Sequence, residues 1–390
     1  MVKKGGEELK LKTSFLDGKR IILGVTGSIS AVETVKLIHE LRRNGAEVFP
    51  VMTESAKLII SPYTLEYASG NPVVDRLTGN IEHVSLVDES DLLLIAPATA
   101  NTISKMAHGI DDTTVTSFFT NSLGSIPVVV APAMHKNMYS NPIIMRNIEV
   151  LKSYGVTFVE PVMEEGKAKI PDAERIVAEV IRKLNGTLYG KKVCIVGGSS
   201  FEYMDDVRII TNTSTGETSI ALATVCYYMG ADLSLFLGMV RTKVPPFLKY
   251  ERFTNVNSLF SHIEEIAKND IVFVPAALSD FTTEKRDGKI PSDSRITLQL
   301  EPAQKFLVSL RERFGGKIVG FKAEYGVSKE ELKMRAAKRM DEYSLDAVVA
   351  NDLRDVREGW TRVIVLRRGG ELEIEGDKLE VAKRIVEFVS

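Results

Sequence analysis

Residues 24–30 read GVTGSIS, small residues and hydroxyls placed where an apolar run gives way to a helical pattern. The first backbone N–H groups of a helix have no partner within it, and the helix dipole favours an anion there. Phosphate binding is the chemistry such a turn suits, although a plain tight turn would use the same residues equally well. No Lys-Ser/Thr pair follows the glycines, and the spacing is not GxGxxG, so neither a triphosphatase P-loop nor a dinucleotide fingerprint is present. Three further segments carry groups able to meet a ligand: EHVSL at 82–86 with His83, PATANT at 97–102, and APAMHKNM at 131–138. A lone histidine is more often structural than catalytic, and polar residues such as Asn101 often only cap helices. A phosphate turn, an Asn/Thr-rich loop and a Met/His loop on one sheet edge nevertheless describe a flavin pocket. Small and apolar groups flank the ring, while amides and hydroxyls take its polar rim.

The second half offers different chemistry. VGGSS at 196–200 is again a strand running into small residues, open to the same two readings. The segment YMDDVRIITNTSTG at 203–216 is more specific, with an acid, an arginine and an amide ahead of a run of hydroxyls. Arg208 can clamp a carboxylate or phosphate through two parallel hydrogen bonds, and Asn212 can donate to a developing oxyanion. A loop without function needs neither. IVFVPAALSDF at 271–281 reads as a buried strand ending in small residues and Asp280, and Lys289 lies in the polar loop behind it. A solvated loop lysine is the ordinary reading of such a residue. GFKAE at 320–324 and VVAND at 348–352 add two more strand ends.

The elements that must hold these groups follow from the hydrophobic pattern. After Ser30, Val32, Val35, Leu37, Ile38 and Leu41 recur on one side of a helix that Asn44 and Gly45 stop, and residues 47–52 form the next strand. In the second half, 220–229 reads as a helix closed by Gly230, and 233–237 as a strand. Strands alternating with helices across short joints predict parallel sheets covered on both faces. A helix over 173–184 followed by LNGTLYG predicts the domain break, giving α/β domains at 1–186 and 187–390. The 390-residue chain is long enough for two cores, and 50 Lys plus Arg against 52 Asp plus Glu leave no broad basic field for nucleic acid. Its apolar runs fall short of the ~20 residues that span a bilayer. Two cysteines, Cys194 and Cys226, make no disulfide framework and fit a reducing cytoplasm.

GVTGSISA, EHVSL, PATANTISKMAHGIDDTTV and APAMHKNM make residues 19–184 resemble the FMN-binding cysteine decarboxylases. The resemblance implies a flavodoxin-like, three-layer α/β/α domain. It implies FMN contacts at Gly27, Ser28, Ser30, Thr53, Pro97, Thr99, Asn101, Met134, His135 and Met138, with His83 as the active-site histidine. In that family FMN takes electrons from a cysteinyl thiol, CO2 is lost, and the electrons return to the product. Two departures stand out. His135 replaces the family's usual asparagine, and the clamp VEPVMEEGKAKIP at 159–171 has no cysteine, Glu160 falling at that position and Lys167 at a usual arginine. The clamp cysteine normally protonates the product, so the resemblance leaves two options. Either Glu160, raised by burial, or a clamp lysine (Lys167 or Lys169) substitutes, or the half binds flavin and decarboxylates poorly.

DDVRIITNTSTG, AALSDF, the Lys289 loop, GFKAE and AVVAND make residues 191–366 resemble the phosphopantothenate–cysteine ligases, here as a Rossmann-like α/β/α domain. The whole chain is thus similar to the fused bifunctional enzymes of coenzyme A biosynthesis. The resemblance implies that CTP, with Mg2+, activates 4'-phosphopantothenate as an acyl-cytidylate, which the cysteine amine then attacks. Asn212 matches the residue that stabilises the activated intermediate, with Arg208 beside it, and Lys289 the lysine of the flexible loop needed when cysteine attacks. Ala276, Asp280, Lys305, Phe321, Lys338 and Arg339 match nucleotide-contacting positions, and no residue is assigned as a metal ligand. The loop reads KIPS where the family often has KIKK, and of a usual triphosphate lysine pair the overlay gives Arg339 and Tyr343. A homo-oligomer is implied, with trimeric flavin domains and dimeric ligase domains building a dodecamer, and no nucleic-acid or membrane partner. The alternatives are an active ligase whose first half is a flavin-binding or oligomerisation module, and a non-catalytic regulatory flavoprotein.

Overall fold

The computed structural model describes residues 11–164, 167–293 and 295–390, and the Lys167 side chain lies outside that description. The chain divides into two compact units, the first ending at Asn185 and the second beginning at Gly186. Each is an α/β sandwich around a largely parallel sheet.

In the first unit, β1 (Arg20–Val25) runs into a 3-10 turn (Ile29–Glu33) and α1 (Thr34–Arg43). Then follow β2 (Glu47–Met52), α2 (Pro62–Ser69), α3 (Glu82–Asp88), β3 (Leu92–Ala98), α4 (Ala100–Ala107) and α5 (Thr114–Ser122). Finally come β4 (Val128–Pro132), α6 (Pro142–Ser153), β5 (Thr157–Phe158) and α7 (Ala173–Leu184). The five strands are parallel in the order β2-β1-β3-β4-β5. This is the flavodoxin order, whose direction of winding reverses between β1 and β3 and opens a ligand crevice there. Every residue of β3 is buried, as a strand covered on both faces requires. A small antiparallel sheet (Met134–His135, Lys167–Lys169, Val162–Glu164) joins the Met/His loop to the clamp. Val32 departs from its expected place on the apolar side: it sits in the 3-10 turn, whose tighter winding leaves it 52% exposed.

The second unit starts with β6 (Lys192–Gly197), α8 (Glu217–Tyr228) and β7 (Asp232–Leu237), and a short edge strand at Glu251–Arg252. It continues through β8 (Ile271–Val274), α9 (Phe306–Arg313), β9 (Lys317–Glu324), α10 (Lys329–Glu342) and β10 (Ala347–Asp352). A hairpin of β11 (Trp360–Arg367) and β12 (Gly370–Asp377) and the helix α11 (Lys378–Val389) close it. Counting the edge strand, the parallel strands run 3-2-1-4-5-6, the Rossmann order, and β11 adds antiparallel to β10. Helix α8 is apolar on nearly all sides because α11 packs over it, with Lys378 paired to Glu217 at one end.

Phe273, fully buried at the middle of the second sheet, tests this core. Phe273→Ala is expected to cost about 3–5 kcal/mol. Trp360, the chain's single tryptophan, lies in the second unit, and its fluorescence during urea unfolding reads that unit. An unchanged midpoint would contradict the packing described.

Candidate functional site

At the first crevice one side chain stitches the two diverging loops together. Thr26, 1% exposed, donates from Oγ1 to the Pro97 carbonyl at 2.7 Å and accepts the Thr99 N–H at 3.1 Å. Thr99 then caps α4 by accepting from the Thr102 N–H. Gly27 approaches Ser55 so closely that a Cβ would stand 2.5 Å from Ser55 Oγ. Ser28 caps the 3-10 turn, accepting from the Ser30 N–H, and Thr53 caps the short helix Glu54–Lys57 after β2. Hydroxyl caps thus stand just past the ends of β1, β2 and β3, each at the start of a helical turn where backbone N–H groups are unpaired. Asn101 is exposed on the first turn of α4.

His83 lies in the first turn of α3. The ring is half-buried, its Nδ1 has no hydrogen-bond partner among the described residues, and Asn121 donates to its carbonyl at 2.9 Å. A buried ring nitrogen left unpaired is costly and suits a group whose partner arrives with a ligand. Met134 is half-buried, and His135 and Met138 are exposed. Glu160 is exposed and accepts from the Tyr139 hydroxyl at 3.1 Å. The burial expected of Glu160 is thus not found within this chain, where solvent reaches the carboxylate. Burial and the Glu160 charge instead push the Tyr139 hydroxyl up to about 12, so that it stays a neutral donor.

At the second edge the GGSS turn packs against neighbouring backbone. A Cβ on Gly197 would stand 2.3 Å from that of Ser219, and Gly198, at φ +75°, lies under the Met239 carbonyl. Ser200 Oγ accepts the Ser279 N–H at 2.7 Å, while the fully enclosed Ser199 hydroxyl has no partner among the described residues. Thr211 Oγ1 donates to the Ser200 carbonyl, and Asn212 Nδ2 donates to the Ala277 carbonyl at 2.7 Å. An amide carries two N–H donors, so a second one and Oδ1 remain for substrate. Ala276, adjacent in the chain, is half-buried.

Residues 201–203 pair antiparallel with 209–211 as a hairpin, and Asp205, in its turn, is wholly buried. Its carboxylate accepts from the N–H groups of Val207, Arg208 and Ile290 and faces the Arg208 guanidinium at 3.3 Å. Burial opposes the charge, but these donors and the guanidinium together hold the carboxyl below the usual range. Asp280 and Lys305 pair at 2.6 Å, Lys289 is exposed, and Phe321 is half-buried on β9. Glu202, 7% exposed, is raised by burial, against which a hydrogen bond from Thr282 is the smaller effect.

Lys338 and Arg339 are not brought to this group. They lie toward the C-terminal end of α10, which runs away from the sheet edge, roughly 15 Å along the helix from its start. Their contacts are local, Lys338 with Glu342 and Arg339 over the Tyr343 ring. The linking residues Thr26, Tyr139, Ser200, Glu202, Asp205 and Asp206 escaped assignment from sequence. Their only signal was position inside or beside the quoted segments.

Residues 10–185 match the Flavoprotein family, and residues 188–390 match the DNA/pantothenate metabolism flavoprotein C-terminal domain. The chain is 45% identical to a coenzyme A biosynthesis bifunctional protein of Thermococcus kodakarensis, covering 96% of this chain and 95% of that protein. Proteins of the same name from Methanocaldococcus jannaschii (38%, covering 97% and 95%) and Bacillus subtilis (34%, covering 87% and 87%) are also similar. These relatives span both units, so the reading of the first unit as an idle module is not favoured. With a flavoprotein unit and a ligase unit in that order, the chain belongs to the coenzyme A biosynthesis bifunctional protein family, CoaBC.

Proposed function

We propose that the second unit couples 4'-phosphopantothenate to cysteine with CTP, and that the first converts the product to 4'-phosphopantetheine with FMN. The carrying observation is the hairpin that pins Asn212 to the end of β8 and Arg208 to Asp205. The substrate carboxylate attacks the α-phosphorus of CTP, releasing pyrophosphate. The cysteine amine then displaces CMP and loses its proton as the amide forms. Arg208 holds the acidic substrate, the remaining Asn212 N–H meets the oxygen that gains charge, and Lys289 acts at the amine's attack. Ala276, Asp280, Lys305 and Phe321 border the nucleotide, and Mg2+ accompanies the triphosphate.

The first unit's residues fit FMN: a Cβ would fill the close approach at Gly27, three hydroxyl caps surround it, and His83 Nδ1 awaits a partner. Bound FMN supplies a two-electron acceptor that makes the cysteinyl unit able to lose CO2 and then returns the electrons. Gly27, Ser28, Ser30 and Thr53 would hold its phosphate side, and Pro97, Thr99, Asn101, Met134, His135 and Met138 its ring side. His83 orients the substrate or moves its proton. The final protonation falls to the clamp. Lys167 and Lys169 are the ammonium donors there, and Glu160, beside the Tyr139 hydroxyl, is the other acid. Ile29 (77% exposed), Leu58 (89%) and Tyr63 (82%) leave large apolar side chains exposed on the first unit, which supports a homo-oligomer; trimeric flavin units and dimeric ligase units are what the resemblance implies. Cys194 and Cys226 are free and buried, in accord with a cytoplasmic setting.

Incubating the full chain with 4'-phosphopantothenate, cysteine, CTP and Mg2+ should give 4'-phosphopantetheine, CO2, CMP and pyrophosphate by mass analysis. A preference for ATP would overturn the cytidine assignment. Asn212→Ala should lower ligation by about 10²–10³. Gly27→Ala should cost the protein its flavin absorbance while ligation persists, and retained flavin would refute the cradle. Replacing Lys167 and Lys169 by alanine should slow 4'-phosphopantetheine formation, the step after CO2 is lost, by at least about tenfold. Full turnover in that variant, with loss in Glu160→Gln, would transfer the acid role to Glu160.

A further inference from the structure

The segment from Ser279 to Ile290 is laid along the hairpin of residues 201–211 by contacts at short intervals. Ser279 N–H donates to Ser200 Oγ, Thr282 Oγ1 to Glu202, and Arg286 N–H to the Met204 carbonyl. The last and densest of these contacts come from two adjacent carboxylates. Asp206 accepts the Gly288 N–H at 2.8 Å, pairs with Lys285 at 2.5 Å, and donates its own N–H to the Gly288 carbonyl at 3.2 Å. Asp205 accepts the Ile290 N–H at 3.0 Å, and the Ile290 side chain is itself buried. The backbone on both sides of Lys289 is therefore pinned, while Lys289 itself is exposed between the two anchors. The Asp205 carboxylate that holds Ile290 also binds the backbone of Arg208 and faces its guanidinium. The backbones that carry the two cations are thus referred to one buried group.

We infer that Asp205 and Asp206 are positioning residues for Lys289, fixing its loop so that the ammonium stands ready when the cysteine amine attacks. This rests on the proposed role of Lys289 in amide formation, and it assigns the aspartates no contact with substrate. A flexible loop would place the ammonium over many positions, and a displacement of about 1 Å is enough to cost a large factor in rate.

Asp206 is the residue to test, because it is half-exposed whereas Asp205 is buried. In the full chain with CTP, Mg2+ and 4'-phosphopantothenate, two steps are read separately: pyrophosphate release without cysteine, and amide formation at saturating cysteine. Asp206→Ala should leave pyrophosphate release within about twofold and slow amide formation roughly ten- to a hundredfold. Asp206→Asn keeps an acceptor for Gly288 but loses the charge opposite Lys285, and should fall between the two. Added to Lys289→Ala, the Asp206→Ala change should slow amide formation no further. An Asp206→Ala rate equal to wild type, with Lys289→Ala slow, overturns the inference and leaves the Lys289 role standing. Equal loss in both steps, in a variant with unchanged Trp360 fluorescence, overturns it in favour of a general structural part. A Lys289→Ala variant with full amide formation removes the underlying reading and this inference with it.

Discussion

Backbone polar groups at the ends of parallel strands have no ladder partner, and burying them unpaired is costly. Both units meet this constraint in one way: a side chain from one strand-end loop satisfies the backbone of the next. In the first unit Thr26 bonds the Pro97 carbonyl and the Thr99 N–H at once. In the second, Ser200 takes the Ser279 N–H, Asn212 the Ala277 carbonyl, and Asp205 the Ile290 N–H. Each bond contributes about 1 kcal/mol net, but each also fixes the distance between two loops that share a ligand crevice. The geometry of the sites follows from these cross-links more than from the strands alone.

The two edges solve the constraint with different chemistry. The first uses hydroxyls, Thr26, Ser28, Thr53 and Thr99, and a tyrosine kept neutral by burial. Neutral donors can surround a planar, mostly uncharged ring without placing a fixed charge against it. The second edge uses charge, with Asp205, Arg208, Asp206 and Lys285 within one short hairpin and its neighbour. The proposed coupling of a carboxylate through a triphosphate would need cations in place, and counter-charges hold cations near a surface in position. The lowered Asp205 and Asp206 carboxyls remain charged down to and below the ordinary carboxylate range. Their anchoring is therefore present at neutral pH and lost only as the pH falls through those depressed values.

Much of this was legible in the sequence because period and punctuation are local. The apolar runs of β1 and β8, the glycines after β1 and β6, and the helix ending at Leu184 were read from residues close together in the chain. Val32 was misplaced because a 3-10 turn has a different period from the helix that follows it. What could not be read was any partner far away in sequence. Thr26 meets Pro97 across 71 residues and Asp205 meets Ile290 across 85, and nothing in either segment alone names the other. Lys338 and Arg339 rest on a motif overlay, not on a local signal. An overlay of motifs carries residue types but not helix direction, and α10 carries them away from the edge.

The Lys289 loop joins these threads. Residues 289–292 read KIPS where the resembling ligases often carry two further lysines, so under the proposed ligase reading the loop's attraction to a triphosphate is weaker. Weaker attraction makes the loop's own conformational freedom the larger cost, because fewer contacts remain to offset its ordering. Pro291 fixes one dihedral immediately after Ile290 and offers no N–H that would need a partner. The Gly288 and Ile290 donors just before it are the ones the two aspartates take. A loop restrained in this way loses part of its freedom on folding rather than on binding. The sparse charge of the loop and its dense anchoring are then two sides of one arrangement, in which position replaces attraction.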